Sequence, residues 1–170
     1  METVVVEGRE GRTTDFVGEL VVPVVTTYRD DKPRWAEFRL YRKPDDEGYV
    51  IWRTGNSLIY HSIDSDCETR DGRESGFPKR VRDLDKDAEP CLKCQPPWPD
   101  QMPGDTEVRA EEPRHTVSHC KNAAEVVDSL TWDPKTKRRV WTEPVSELLM
   151  AANKADPAFQ SISQSPTIRL

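Results

Sequence analysis

The first sixty residues read as strands, some as short apolar runs and one with regular period-two alternation; after residue 120 the period becomes helical. Val4, Val5 and Val6 form a short β-branched run. The stretch Phe16 to Tyr28 carries Leu20, Val21, Val22, Val24 and Val25, with Pro23 inside it. A proline cannot donate to a strand ladder, so this stretch predicts an edge strand or two short strands. From Trp35 to Tyr41 the alternation is regular. Ala36, Phe38 and Leu40 share one face; Trp35, Glu37, Arg39 and Tyr41 share the other. Pro44 to Gly48 has turn composition, and Tyr49 to Arg53 is the return strand of a hairpin. Gly55-Asn56 signals a second turn, followed by a short strand from Leu58 to His61. Residues 1–57 therefore read as an antiparallel meander with one face on a core.

Residues 62–90 show neither period. Residues 97–113, with Pro97, Pro99, Pro103 and Pro113, read as a semi-rigid linker. Residues 114–160 form a helical C-terminal part. Asn122 is the expected N-cap of its first helix, with Glu125 completing a capping box. Ala123, Val126, Val127 and Leu130 make the apolar stripe of that helix. Thr142 opens a second helix with Pro144 in its first turn, Val145, Leu148, Leu149 and Ala152 as its buried face, and Asp156-Pro157 as its stop. Residues 161–170 read as a loose tail. The fold class is α+β: an N-terminal antiparallel β-meander, a loop module at 58–96 packed on the sheet, and a C-terminal helical segment.

Composition makes the loop module a problem. Apolar residues are 35% of the chain and charged residues 33%, so any core is small and local. Segment 62–90 offers only Ile63, Phe77, Val81 and Leu84 as large apolar side chains, and something else must hold it together. No run approaches the roughly 20 apolar residues of a membrane span. The first residues lack the basic and apolar regions of a signal peptide, which predicts a cytoplasmic protein with reduced cysteines.

Reduced, closely spaced cysteines favour a metal. Cys91-Leu92-Lys93-Cys94 can grip an ion from one tight turn, and His61 and Cys67 lie upstream, giving the spacing H-x5-C-x23-C-x2-C. Three thiolates and one imidazole close a tetrahedral shell and leave no position for an activated water, so one structural zinc is expected on His61, Cys67, Cys91 and Cys94. A redox role for the Cys91–Cys94 pair is disfavoured, because Pro96-Pro97 prevents the helix that normally follows such a pair. His115, His119 and Cys120 are rival ligands. His119 and Cys120 are adjacent and do not readily face one ion together, and Cys120 ends an apolar, strand-like stretch as a small buried thiol would.

Ile59-Tyr60-His61, Cys67 and Pro90-Cys91-Leu92-Lys93-Cys94 together resemble the short Ada-like zinc-binding motif, over residues 59–94. The loop between Cys67 and Cys91 departs from that motif. The methyl transfer of the motif's namesake is not implied here, because histidine replaces one of its ligands. A wider stretch is similar to uncharacterised proteins of actinobacteria and their phages. It includes Lys32-Pro33-Arg34-Trp35, Phe38, Tyr41, Gly48-Tyr49-Val50, Gly55, Ser57 and the proposed ligands. That similarity implies one unit over residues 32–155 and supplies no catalytic residues.

The chain contains no phosphate-binding glycine loop, nucleophile elbow or HExxH sequence. An enzyme, which would have to be metal-dependent, therefore ranks last. Asp83, Asp85 and Asp87 alternate but lack the glycine and glutamate of a calcium loop, and read as a solvated acidic face. The leading expectation is a non-catalytic interaction or regulatory protein with a protein partner, phage-encoded and acting on a host macromolecule. Trp98, hard to bury within a proline-rich stretch, is the candidate partner contact. The alternative is nucleic-acid binding through a local basic face of Lys79, Arg80 and Arg82, with Arg70 and Arg73 before them and Lys135, Lys137, Arg138 and Arg139 further on. Against it stands a formal net charge of -6. Trp35, Tyr41, Tyr49, Trp52 and Tyr60, interleaved with arginines, suit either sheet packing or a base-stacking platform, and packing is the commoner use.

Overall fold

The computed structural model describes residues 1–8, 12–67 and 77–160. The fold is α+β, and its residues fall into two compact units. The first unit comprises Met1–Thr27, Ala36–Thr54 and the chain from Arg114 onward; the second comprises Tyr28–Trp35 and Gly55–Pro113.

The first unit is built on a sheet. Strands β1 (Glu2–Glu7) and β2 (Thr13–Leu20) form an antiparallel hairpin in which Val4 faces Phe16 and Val6 faces Thr14. Pro23 ends the run, and the chain resumes as β3 (Val25–Thr26). Both β2 and β3 pair antiparallel with β4 (Arg34–Arg42). The interrupted valine run is thus two short strands laid along one partner. With β5 (Tyr49–Ser57) and β10 (Arg114–Cys120), the order is β1-β2-β4-β5-β10.

Alternation along β4 and β5 divides this unit's core in two. Phe38, Leu40, Tyr49 and Ile51 join Cys120 and the helices in one cluster, while Tyr41 and Val50 meet Val6 on the other face. The helices are α1 (Ala123–Thr131) and α2 (Glu143–Ala155). They cover the first face with Ala123, Val126, Val145, Leu148, Leu149 and Ala152, the residues whose spacing predicts it. Asn122 caps α1 by accepting the Glu125 amide at 2.9 Å, and the Glu125 carboxylate accepts the amide of Lys121 at 2.6 Å. Thr142 precedes α2 without a side-chain capping bond, leaving Pro144 to set its first turn. Asp156 ends α2. Its carboxylate accepts from the Ala158 amide at 2.9 Å and from the buried Tyr49 phenol at 2.6 Å. Gly48 in the β4–β5 turn has φ of +107°, and a Cβ there would lie 2.2 Å from the Cys120 carbonyl oxygen, so only glycine fits. Between the helices, the basic run is a small hairpin of β11 (Trp132–Asp133) and β12 (Arg138–Arg139), with Arg139 paired to Asp128 at 2.6 Å.

The second unit departs from several expectations. Gly55-Asn56 is no turn: β5 continues through both to Ser57, because sheet pairing overrides their local turn preference. After it come β6 (Ile59–Ser62), β7 (Phe77–Arg80) and β8 (Glu89–Pro90). The stretch read as a proline linker holds a 3-10 turn at Pro99–Gln101 and strand β9 (Glu107–Ala110). These strands form a four-stranded sheet in the order β7-β9-β6-β8. Strand β6 is the short strand expected at Leu58 to His61, shifted by one residue; β7, β8 and β9 show no period because each has only two to four residues. Pro78 and Pro90 lie on its two edge strands, where a missing amide costs least. Among the described residues, the unit's apolar core is Tyr60, Val81, Ala88 and Val108, with Leu84 and Met102 against it. Among the described residues no helix is long and apolar enough to cross a membrane. The tail 161–170 and the basic residues Arg70 and Arg73 lie outside the described residues.

Candidate metal centre

Three pieces of the second unit converge on one point. The first is β6, which carries His61, only 1% exposed. The second is the turn that follows. The Ser65 amide bonds the Ser62 carbonyl at 3.0 Å, and Ser65 Oγ accepts the Cys67 amide at 2.9 Å, folding Cys67 back toward His61. The third is the Cys91–Cys94 turn. Parallel pairing of β8 with β6 places Pro90 beside Tyr60, and the next amide, of Cys91, donates to the Tyr60 carbonyl at 2.9 Å. The sheet register itself therefore sets Cys91 next to His61.

The turn closes when the Gln95 amide donates to the Cys91 carbonyl at 2.9 Å. The Lys93 amide points at Cys91 Sγ, 3.3 Å away. Burial pushes the Cys91 thiol pKa up, but amide bonds from Cys94 and Lys93 outweigh it and leave the pKa lowered. Cys67 goes the other way, raised first by burial and then by its neighbouring thiols. Together the four side chains present one imidazole nitrogen and three sulfurs, all within 4.8 Å of one another. Cys67 Sγ to Cys91 Sγ is 3.8 Å, and Cys94 Sγ to His61 Nδ1 is 3.6 Å. Among the described residues this is the group that can hold a metal ion.

Gln95 is the strained member of the turn, a non-glycine residue with φ of +49°. Gln95→Gly should relieve that strain and stabilise the protein by up to about 1 kcal/mol, because only glycine enters this region without steric cost. The midpoint of denaturation of the metal-loaded protein checks this; a lower midpoint would contradict it.

Behind the imidazole lies a polar network that sequence reasoning did not find. His61 Nε2 donates to Glu111 Oε2 at 2.8 Å, so the free lone pair is on Nδ1, which faces Cys94. Glu111 is buried, at 8% exposure. Arg34 grips both of its oxygens, with Nη2 at 2.9 and 2.8 Å and Nε at 3.1 Å, and Ser57 Oγ donates at 2.6 Å. Burial raises the Glu111 pKa, but the bonds from Arg34, Ser57 and His61 more than reverse this and hold the carboxyl below its usual range. Antiparallel pairing of β6 with β9 delivers Glu111, whose amide donates to the Ile59 carbonyl at 3.0 Å.

The other sequence candidates have different surroundings. His115 contacts Trp52, Thr54 and Glu7 within the first unit. His119 is also in that unit, its pKa lowered by burial and by Lys43. Cys120 is buried in the helix-facing core, and burial raises its thiol pKa to about 11. Lys79 lies 6.0 Å over the Phe77 ring on edge strand β7, while Arg80 and Arg82 are exposed. Asp85 accepts the Asp87 amide at 2.9 Å, making the acidic repeat an ordinary turn. Tyr41, Tyr49 and Tyr60 are buried, and Arg39 lies 4.8 Å from the Trp52 ring, so these aromatics are packing. Trp98 keeps 50% of its surface exposed. No protein-family model, curated protein or solved structure matches this chain.

Proposed function

We propose that the chain is a non-catalytic zinc-binding interaction protein, with one structural zinc on His61, Cys67, Cys91 and Cys94. The carrying observation is the spacing of the donor atoms. With Zn–S about 2.3 Å and Zn–N about 2.0–2.1 Å, a tetrahedron separates two sulfurs by about 3.8 Å and a sulfur from a nitrogen by about 3.6 Å. Two of the donor pairs match these values, Cys67–Cys91 at 3.8 Å and Cys94–His61 at 3.6 Å, and all four donors lie within 4.8 Å of one another. Soft thiolates select zinc over the hard cations, and the lowered pKa of Cys91 favours the thiolate that zinc needs. Four protein ligands fill the shell, so the ion would staple a unit with little apolar core.

An interaction role accords with an exposed tryptophan on a tethered turn and with the lack of a catalytic motif. A phage-encoded protein acting on a host macromolecule is the extension carried by the similarity of residues 32–155 alone. Nucleic-acid binding through Lys79, Arg80 and Arg82 has less support, because Asp83, Asp85 and Asp87 follow directly. The test is metal analysis of protein purified without chelator. The expected result is one zinc per chain, lost in Cys91→Ser and retained in Cys120→Ser. Folded protein with no bound metal would overturn the proposal, as would metal loss in Cys120→Ser.

A further inference from the structure

The second unit also contains an open groove of about 740 Å³, on the side of β8 where Ala88 and Glu89 line it. Two aromatic rings border the groove, Tyr28 and Trp98, with 49% and 50% of their surfaces exposed. Half-exposed tryptophan is costly to leave in water, and here its backbone is fixed. Pro99 follows it in the 3-10 turn, the Gln101 amide donates to its carbonyl at 2.9 Å, and its own amide donates to Gln101 Oε1 at 3.2 Å. The preceding carbonyl, of Pro97, accepts the buried Tyr60 phenol at 2.5 Å. Tyr28 is braced edge-on against Trp35, with centroids 5.2 Å apart. Rigid aromatic anchors of this kind dominate binding energy at interfaces.

The charge around the groove selects the ligand. Asp30, Asp87, Glu89 and Asp100 line it, against only Lys32 and Lys86. The Tyr28 phenol feels this field: its pKa is raised first by its hydrogen bond to Asp30, then by the charges of Asp30, Asp87 and Asp85. Aromatic faces combined with excess carboxylate suit a guanidinium, which stacks on a ring while its edge donates to carboxylates. The apolar part of the lining, Pro33 and Leu58, suits the methylene stem of such a side chain. The volume exceeds one side chain, so a segment of polypeptide fits better than a small cation.

We propose that this groove docks an arginine-bearing, basic segment of a partner protein, with Trp98 and Tyr28 as the aromatic anchors and Asp30, Asp87 and Asp100 as the counter-charges. The inference deepens the reading of the chain as an interaction protein and rests on it. Groove and metal centre share a support. The Leu58 amide donates to the Pro33 carbonyl and the Glu89 amide to the Leu58 carbonyl, both at 2.9 Å, and Glu89 lies two residues before Cys91.

The test uses the full zinc-loaded chain and two fluorescein-labelled nonapeptides, one alternating arginine with glycine and the other glutamate with glycine, read by anisotropy at physiological salt. The arginine peptide is expected to bind and the glutamate peptide not. Trp98→Ala should weaken binding about tenfold or more, as loss of a hot spot does. Asp87→Asn should weaken it about threefold, while Glu147→Gln, the same charge change on exposed α2, stays within about twofold. Equal losses in the two charge variants would mean a diffuse acidic field and would overturn the groove. So would an unchanged Trp98→Ala or the absence of any arginine preference. Zinc is measured in the same samples. Zinc-loaded protein without arginine preference overturns the groove and leaves the metal reading standing, whereas Trp98-dependent binding by metal-free protein does the reverse.

Discussion

Stripping the proposed ion with a chelator is expected to unfold the described residues of 55–113 while α1, α2 and the β1–β2 hairpin stay protected. Among the described residues, the apolar cluster of the second unit is small: Tyr60, Val81, Ala88 and Val108. Full burial contributes about 1.5–3 kcal/mol per large side chain, against about 1–2 kcal/mol of backbone entropy for every residue ordered. A structural zinc contributes on the order of 10–16 kcal/mol at neutral pH in small peptides, enough to decide whether such a unit folds. The first unit has a core of Phe38, Leu40, Tyr49, Ile51 and the helix stripes, and depends on no metal ligand. Hydrogen exchange reads the difference amide by amide. Cys91, Gln95, Val81 and Glu111 donate to carbonyls within the second unit and should lose protection on chelation, whereas Val126, bonded to Asn122, should keep it. The loss should reach β9, because β9 pairs with both β6 and β7. Cys91→Ser should reproduce the effect, His61→Ala should give a weaker form, and Cys120→Ser none. Unchanged protection at Cys91 and Glu111 after complete metal removal would show that the second unit stands without an ion.

The contrast between the two units explains what could be read in advance. In the β4–β5 hairpin, each strand spans nine residues and buries different residues on alternate faces, so its pattern is repeated enough to be seen. The helices are legible for the same reason, through a repeated stripe and a capping pair at Asn122 and Glu125. The four metal-binding candidates stand out by chemistry instead. The chain has only four cysteines and three histidines, so a spacing among them carries information. Strand β9 lacks both advantages. It has four residues, of which Val108 alone is fully buried, and the prolines around it resemble a linker. Glu111 is one of 31 acidic residues and has no local mark at all. Its importance comes from long-range register: it lies fifty positions from His61 and seventy-seven from Arg34. Sequence shows which side chains can bind a metal, but the side chain that orients a ligand is fixed by strand pairing.

Glu111→Ala should therefore be the most damaging substitution outside the four ligands. The carboxylate joins Arg34, Ser57 and His61, and removing it leaves all three donors without their acceptor at once. Breaking a buried charge network by deleting one partner costs about 3–5 kcal/mol. The Arg34 side chain is 36% exposed and regains some hydration, which brings the expected loss to about 3 kcal/mol. A second effect falls on the metal. Glu111 fixes the imidazole orientation and keeps the proton on Nε2, leaving Nδ1 for the proposed ion; losing such a partner typically lowers metal affinity about 10- to 100-fold. Glu111→Gln should not rescue it, because the amide NH2 would point a donor at groups that are themselves donors. Arg34→Ala should affect zinc less, since Glu111 keeps its bonds to Ser57 and His61. Competition against a chelator of known affinity separates the two effects, with unfolding followed in parallel. A Glu111→Ala protein that binds zinc within about twofold of the parent, at any stability, would remove Glu111 from the metal centre, given the losses usual for such partners.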